Sequence, residues 1–182
     1  DVAQGHEQAL ALKGDGTVVA WGGSNEYGQT DVPGWLSDVV DITAGLYHSV
    51  ALRRDGTVVA WGSNSQGQAT PPAGLSNVVK VAAGGSRSFA IKSDGSVVRW
   101  GSDSYPLPSL ANVKRISVSE HHSFALHADG TATGWGSTSY GANTIPWQVT
   151  TVLYISAGYE STSSVVVPTT NPTRIAAHPA DV

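Results

Sequence analysis

The sequence has no cysteine and no methionine, and its 182 residues include ten lysines and arginines against fourteen aspartates and glutamates. Without cysteine, a disulfide framework, a thiolate nucleophile and a cysteine-ligated zinc site are all excluded. The formal net charge of −4 and the scattered cations provide no basic stripe for phosphates, so we expect no nucleic-acid partner. No apolar run approaches the roughly 18 residues of a membrane helix, so we expect no membrane insertion.

The sequence does contain a repeat. Asp-Gly pairs begin at residues 15, 55, 94 and 129, and a Trp-Gly pair follows each at the same spacing. The aspartates lie 40, 39 and 35 residues apart. A period near 40 with strand-like content predicts propeller blades rather than helical solenoids. We therefore predict an all-β protein, a β-propeller built from antiparallel-sheet blades with a repeat of about 39 residues.

Each unit is predicted to contain a hairpin closed by its Asp-Gly pair, with a further strand before it. If Asp55 and Gly56 are the two central turn residues, Val50 lies opposite Trp61. Side chains alternate across a strand, so one face would be bulky and the other small. The predicted bulky face carries Val50, Leu52, Val59 and Trp61, and the small face carries Ala51, Val58 and Ala60. Stacking bulky faces onto alanine faces would place the repeated tryptophans in the core.

The repeat also sets the predicted domain organisation. Propeller blades are expected over residues 1–167, with units near 2–38, 39–77, 78–112 and 113–151 and a partial unit at 152–167. Residues 168–182 are interpreted as a Pro/Thr-rich linker followed by the start of an immunoglobulin-like domain. Four to four and a half blades do not close a ring. We therefore expect a partial ring, completed either by more chain or by a second copy as a homo-oligomer.

The hairpin geometry also predicts where partners bind. Since the Asp-Gly turn closes one end of each hairpin, the variable loops at the other end share one face of the propeller. We predict that a protein partner contacts residues of these loops: Glu26, Tyr27, Leu46, Tyr47, Gln66, Tyr105, His121, Tyr140, Tyr159 and Glu160.

Other chemistries have weaker support. No Ser, His and acid cluster stands in a recognised motif, so we predict no enzyme, no catalytic residue and no cofactor. Neighbouring strand residues point to opposite faces, which argues against His121 and His122 as metal ligands, and turn chemistry explains the repeated aspartates. Exposed tyrosines are typical of protein interfaces and of sugar-binding sites alike. Protein recognition, carbohydrate binding and a structural spacer therefore remain open alternatives.

Residues 44–52, 55–64 and the Gly67-Gln68 pair together resemble the repeat of the regulator of chromosome condensation family, most closely its bacterial secreted short-repeat members. The resemblance implies a seven-bladed β-propeller that binds a protein through aromatic and acidic loop residues of one face. It points to Glu26, Tyr27, Tyr47, Tyr105, Tyr140, Tyr159 and Glu160. It also implies an inhibitor or an adhesion scaffold, located outside the cell or at its surface. Nucleotide exchange on a small GTPase, the activity of the founding member, is disfavoured by the acidic balance.

Overall fold

The computed structural model describes residues 1–102 and 104–137, and two further strands, 154–157 and 163–166, as backbone. The strands are β1 (Val2–Gln4), β2 (Gln8–Leu12), β3 (Val18–Gly22), β4 (Val39–Ala44), β5 (His48–Arg53), β6 (Val58–Gly62), β7 (Val78–Gly84), β8 (Arg87–Lys92), β9 (Val97–Gly101), β10 (Val113–Val118), β11 (His122–His127), β12 (Ala132–Gly136), β13 (Tyr154–Ala157) and β14 (Ser163–Val166). These described residues form no helix, and hence none long and apolar enough to cross a membrane.

The strands form four three-stranded antiparallel sheets in chain order, which we number as blades one (β1–β3), two (β4–β6), three (β7–β9) and four (β10–β12). A fifth sheet begins with the antiparallel pair β13 and β14, and β13 lies against β10 and β11 of blade four. The predicted all-β architecture of propeller blades is confirmed. The sheets of the described residues do not close into a ring. The predicted linker at 168–182 lies outside them.

The hairpin turns differ from the prediction. Arg53 N–H donates to Thr57 O and Gly56 N–H donates to Arg53 O, at 2.9 and 3.0 Å, so residues 54–56 form a three-residue loop. Gly56 has a φ of +82°, whereas Asp55 is not in the left-handed region. This is a type I turn closed by a left-handed glycine, not the expected two-residue turn. The extra loop residue shifts the register by one, so Trp61 lies opposite Ser49 instead of Val50.

The register shift also corrects the predicted faces. Val50 and Leu52 pack towards blade three, together with Val58 and Ala60. Ala51, Val59 and Trp61 instead face blade one. The tryptophan therefore shares a face with the alanine. The prediction of a bulky face stacked on a small face is therefore wrong, although Ala51, Ala90 and Ala125 are each fully buried against the preceding blade.

The repeated tryptophans are buried in three blades out of the four described. Trp61, Trp100 and Trp135 are 8%, 7% and 6% exposed, but Trp21 is 52% exposed. The prediction that all four lie in the core is therefore wrong for Trp21. In blades two to four, the preceding blade covers the face that carries the tryptophan. In the described structure no blade lies against this face of blade one.

Candidate functional site

The open ends of the hairpins meet at one end of the blades, as the sequence predicts. In blade two, His48 pairs with Gly62, and Ser63 N–H donates to Tyr47 O at 2.8 Å. The connector loops before each second strand therefore lie beside the long loops after each third strand. We call this surface the loop rim; its described loops are 5–7, 45–47, 85–86, 119–121, 22–31, 62–70 and 101–107 without 103.

A buried glutamine shapes the long loop of blade one. The Gln29 side chain is fully buried, accepts a hydrogen bond from Tyr27 N–H at 3.1 Å and donates to Ser24 O at 2.6 Å. Asn25 supports the same loop by accepting from Thr30 N–H at 2.9 Å. In the loop of blade two, Gln68 bonds Gln66 N–H and the Ser63 hydroxyl, and Asn64 bonds Ala69 N–H. The repeated Asn and Gln thus hold the loop. Of the three residues between them, the glycine is shared, and the first two, 26–27 or 65–66, differ between the loops and are exposed.

The same glutamines join neighbouring blades through their main chain. Gln29 O accepts from Ser49 Oγ at 2.9 Å and from Trp61 Nε1 at 3.0 Å. Gln68 O accepts equivalent bonds from Ser88 and Trp100 of blade three. Blade three has no Gly-Gln pair, and the buried Trp135 Nε1 of blade four has no hydrogen-bond partner among the residues that the structure describes. The Gly-Gln motif is therefore an inter-blade joint as well as a loop frame.

A second joint occupies the start of each middle strand, at Gln8, His48, Arg87 and His122. Gln8 Nε2 donates to Gly45 O at 3.2 Å and to His48 O at 3.0 Å. His48 Nε2 lies 2.8 Å from Ser88 Oγ in blade three. Burial lowers the pKa of His48 to about 4, so the ring is neutral at pH 7. Gln8, His48 and Arg87 thus join neighbouring blades, whereas His122 Nε2 has no hydrogen-bond partner among the described residues.

Aromatic side chains from blades one and two converge on the loop rim. The rings of Tyr27 and Tyr47 have centroids 5.2 Å apart and are tilted by 42°, and the His6 ring meets Tyr47 edge-on at 5.6 Å. Tyr27 is 47% exposed, while Tyr47 and Leu46 are half-buried. We call His6, Tyr27 and Tyr47 the aromatic rim cluster. His6 was not among the predicted site residues, although its ring in a connector loop was the available signal.

The other predicted site residues are spread around the rim. Glu26, Gln66 and His121 are exposed. Tyr105 is half-buried, packs on the core between blades three and four, and has the Arg87 guanidinium 5.4 Å from its ring centroid. Part of the Tyr105 side chain therefore serves packing between blades three and four and is not available to a partner. Tyr140, Tyr159 and Glu160 lie outside the described residues.

Two open cavities lie beside these loops. The larger, of about 520 Å³, is lined mainly by residues in or beside the connectors, including Gly5, Gly45, Gly85 and Glu120. The smaller, of about 320 Å³, lies between Arg87, Tyr105 and His121. In the part of the chain that the structure describes, no three His, Asp or Glu side chains are grouped as a metal site requires. The rim therefore offers aromatic and backbone contact surface.

The repeat itself is matched by a known family. Residues 39–68 and 113–142 match the regulator of chromosome condensation (RCC1) repeat. These two segments are therefore similar to RCC1 repeats, and in blade two the matched residues run from β4 to the Gln68 joint. No curated protein is significantly similar to the sequence.

Solved structures with similar folds include β-propellers. The crystal structure of Kap60 bound to yeast RCC1 (Prp20) matches with a TM-score of 0.76 and 23% identity, over 92% of this chain and 53% of that chain. Prp20p from Saccharomyces cerevisiae matches with a TM-score of 0.75 and 22% identity, over 92% and 55%. The CRINKLY WD40 ectodomain of the Arabidopsis thaliana receptor kinase ACR4 gives 0.73 and 20%, over 91% and 60%. The chain thus shares their fold and spans about half the length of the first two.

Proposed function

We propose that this chain is a non-enzymatic binding module that recognises a protein partner through its loop rim. The observation that carries the proposal is the aromatic rim cluster. Its members come from loops of two neighbouring blades, and the Tyr27 and Tyr47 rings lie 5.2 Å apart. Exposed tyrosines supply large amphipathic contact area with few rotatable bonds, and they are enriched at protein interfaces.

The loops that carry the cluster are held in place before any partner arrives. The main chain at Tyr27 is bonded to the buried Gln29 side chain, and Gln29 O is in turn bonded to Trp61 of blade two. Tyr47 O accepts Ser63 N–H at the end of the same blade. A preorganised surface loses little conformational entropy on binding, so more of its contact energy contributes to affinity.

The distribution of polar residues supports a non-enzymatic role. Gln29, His48 and Ser88, which might otherwise form a reactive cluster, are buried and hydrogen-bonded between blades. The solved relatives support protein recognition, since Prp20p is described with its binding properties to Gsp1p and histones. We extend to this chain only the class of ligand, a protein. Whether it acts as an inhibitor or as an interaction scaffold depends on that partner.

We also propose that the module works outside a bacterial cell or on its surface. The support is the Pro/Thr-rich stretch at residues 168–173, a composition typical of linkers between domains, together with the resemblance to secreted short-repeat proteins. Epitope labelling of intact cells compared with lysed cells tests this location. Labelling that requires lysis would contradict it.

Carbohydrate binding is the second candidate. The tilted, partly exposed Tyr27 and Tyr47 rings offer apolar faces on which a sugar ring stacks as readily as a protein side chain. A glycan array separates the candidates, because a lectin binds defined glycans without any protein present. Specific glycan binding that is lost in Tyr27→Ala would replace protein recognition as the function.

The protein-recognition proposal is tested by affinity capture with Tyr27→Ala and Tyr47→Ala. The immobilised chain is exposed to cell-envelope and secreted proteins of its source, and captured proteins are quantified by mass spectrometry. We expect both variants to lose the captured partner while their melting temperatures stay close to the parent's, because neither ring is fully buried.

The matched control for that experiment is Trp35→Ala, which removes a 68% exposed aromatic ring outside the loop rim, three residues before Asp38 at the Asp-Gly turn end. We expect the control to capture the same partner as the parent chain. Capture that survives in Tyr27→Ala and Tyr47→Ala, or that is lost equally in Trp35→Ala, would show that the loop rim is not the binding surface.

A further inference from the structure

Charge is distributed unevenly between the two ends of the blades. The loops of the rim in blades one and two, residues 5–7, 22–31, 45–47 and 62–70, contain no lysine or arginine. They do contain Glu7, Glu26 and Asp31. The cations cluster near the Asp-Gly turns at the opposite end, at Lys13, Arg53, Arg54, Lys92 and Lys114. The aromatic rim cluster therefore lies in an acidic surface.

The cations near the rim in blade three are engaged with the protein itself. Arg87 is 2% exposed and donates to Ser119 O and Glu120 O at 2.9 and 2.8 Å. Arg99 is half-buried and donates to Tyr105 O. These groups face main-chain oxygens of blades three and four. They therefore do not neutralise the carboxylates at the surface of the rim in blades one and two.

The aromatic rim cluster suits a positively charged ligand group. The face of a tyrosine ring attracts a cation, and Tyr27 and Tyr47 place two such rings side by side. Glu26 is exposed and adjoins Tyr27 in the same loop. A lysine or arginine side chain can lay its methylene stem on a ring while its charged head approaches a carboxylate.

We infer that the loop rim of blades one and two binds a basic segment of a partner protein, with a lysine or arginine seated on Tyr27 and Tyr47 beside Glu26. This inference rests on the proposed function and specifies the partner's chemistry. Charge complementarity selects this occupant over an acidic or neutral segment, because an acidic one is repelled by Glu7, Glu26 and Asp31. A neutral segment gains nothing from those carboxylates.

The test uses defined peptides and fluorescence anisotropy. A labelled peptide of lysine, arginine, glycine and serine is compared with one in which glutamine replaces every basic residue and with one in which glutamate does so. We expect binding of the basic peptide alone, weakening as salt is raised because the interacting charges are exposed. Tyr27→Ala and Glu26→Gln should each lower its affinity roughly threefold to tenfold, whereas Tyr27→Phe keeps the ring face and the affinity.

The chain offers a matched charge control. Asp38→Asn removes one negative charge, as Glu26→Gln does, but at the Asp-Gly turn end. Asn77 and Asn112 occupy the same position in the following blades with φ of 58° and 51°, close to the 57° of Asp38, so the backbone accepts asparagine. We expect Asp38→Asn to bind the basic peptide as the parent does.

The outcomes separate this inference from the proposed function. Equal losses in Glu26→Gln and Asp38→Asn, or no loss in Tyr27→Ala, would reduce the effect to net charge and overturn the basic-segment site. No binding of the basic peptide, while protein capture still depends on Tyr27, would overturn the inference and leave the proposed function standing. Protein capture that does not depend on Tyr27 would overturn both the inference and the proposed function.

Discussion

Blades one and two contain the same strand in two environments. β3 and β6 have the identical sequence Val-Val-Ala-Trp-Gly, yet Trp21 is 52% exposed and Trp61 is 8% exposed. Trp61 packs in a core cluster with Leu10 of blade one, and its Nε1 donates to Gln29 O. The strand sequence alone therefore does not bury its tryptophan. It specifies a surface that a preceding blade of the same type completes.

The two blades also differ at the polar joint. Gln8 in blade one reaches the backbone of blade two with its amide, whereas His48 in blade two reaches the Ser88 hydroxyl of blade three. Both side chains are almost fully buried, at 2% and 0% exposure. The joint therefore requires a hydrogen-bonding side chain of suitable length, and it tolerates different chemistry from blade to blade. Only the histidine adds a titratable group.

The largest difference between the two blades is expected for their tryptophans. Trp61→Ala should lower the free energy of unfolding by about 3–5 kcal/mol, since it leaves a cavity between two blades. Trp21→Ala should lower it by about 1 kcal/mol or less, because half of that side chain is already in water. Urea denaturation followed by circular dichroism measures both losses. An unchanged m-value shows that each variant unfolds in the same transition as the parent chain. Equal losses would show that Trp21 is covered in solution.

The sequence predicts the blades and the loop rim because their signals are local. Alternating side chains and Asp-Gly turns at a fixed period specify hairpins, and the hairpins place the open ends on one side. The predicted pairing of the two hairpin strands was wrong by one residue, because an Asp-Gly pair suits a two-residue and a three-residue loop alike. Whether Arg54 joins the loop depends on main-chain bonds, and Gly56 has the left-handed φ that both interpretations require.

The parts that the sequence did not predict are long-range. Gln29 joins blades through its carbonyl, an atom that every residue has, so no side-chain pattern indicates this role. Tyr27 and Tyr47 were expected on one surface, but their ring contact depends on how two blades stack. The exposure of Trp21 likewise depends on a neighbour and not on its own strand.

The polar joints of the two blades should respond differently to pH, because only blade two has a histidine there. The pKa of His48 is about 4 when folded, below its usual 6.5, because burial disfavours the charged ring. The unfolded chain therefore binds more protons between these values, so stability is full above about pH 6.5 and falls as the pH drops towards 4. The loss attributable to His48 should reach roughly 2–3 kcal/mol. Urea midpoints measured from pH 7 to pH 4 should show it.

His48→Gln, which copies Gln8 of blade one, should flatten that pH dependence. A residual slope of the same sign is expected from His122, whose pKa is also lowered, first by burial and then by His121 and Arg87. Asp41 has a pKa raised by burial and acts in the opposite direction, but it is present in both chains and cancels in the comparison. An unchanged slope in His48→Gln would mean that the ring is accessible to protons in the folded chain.

The smallest expected effect separates the two tryptophan joints within the buried blades. Trp100 Nε1 donates to Gln68 O at 2.9 Å, whereas Trp135 Nε1 is buried with no partner in the described part of the chain. Phenylalanine removes the donor at either position with a similar loss of volume. Trp100→Phe should therefore lower the free energy of unfolding by about 1 kcal/mol more than Trp135→Phe does. The first variant loses a hydrogen bond, whereas the second loses an unsatisfied polar group. Urea denaturation of the two variants in parallel measures this difference, and equal losses would show that the carbonyl joint adds nothing to the packing of the rings.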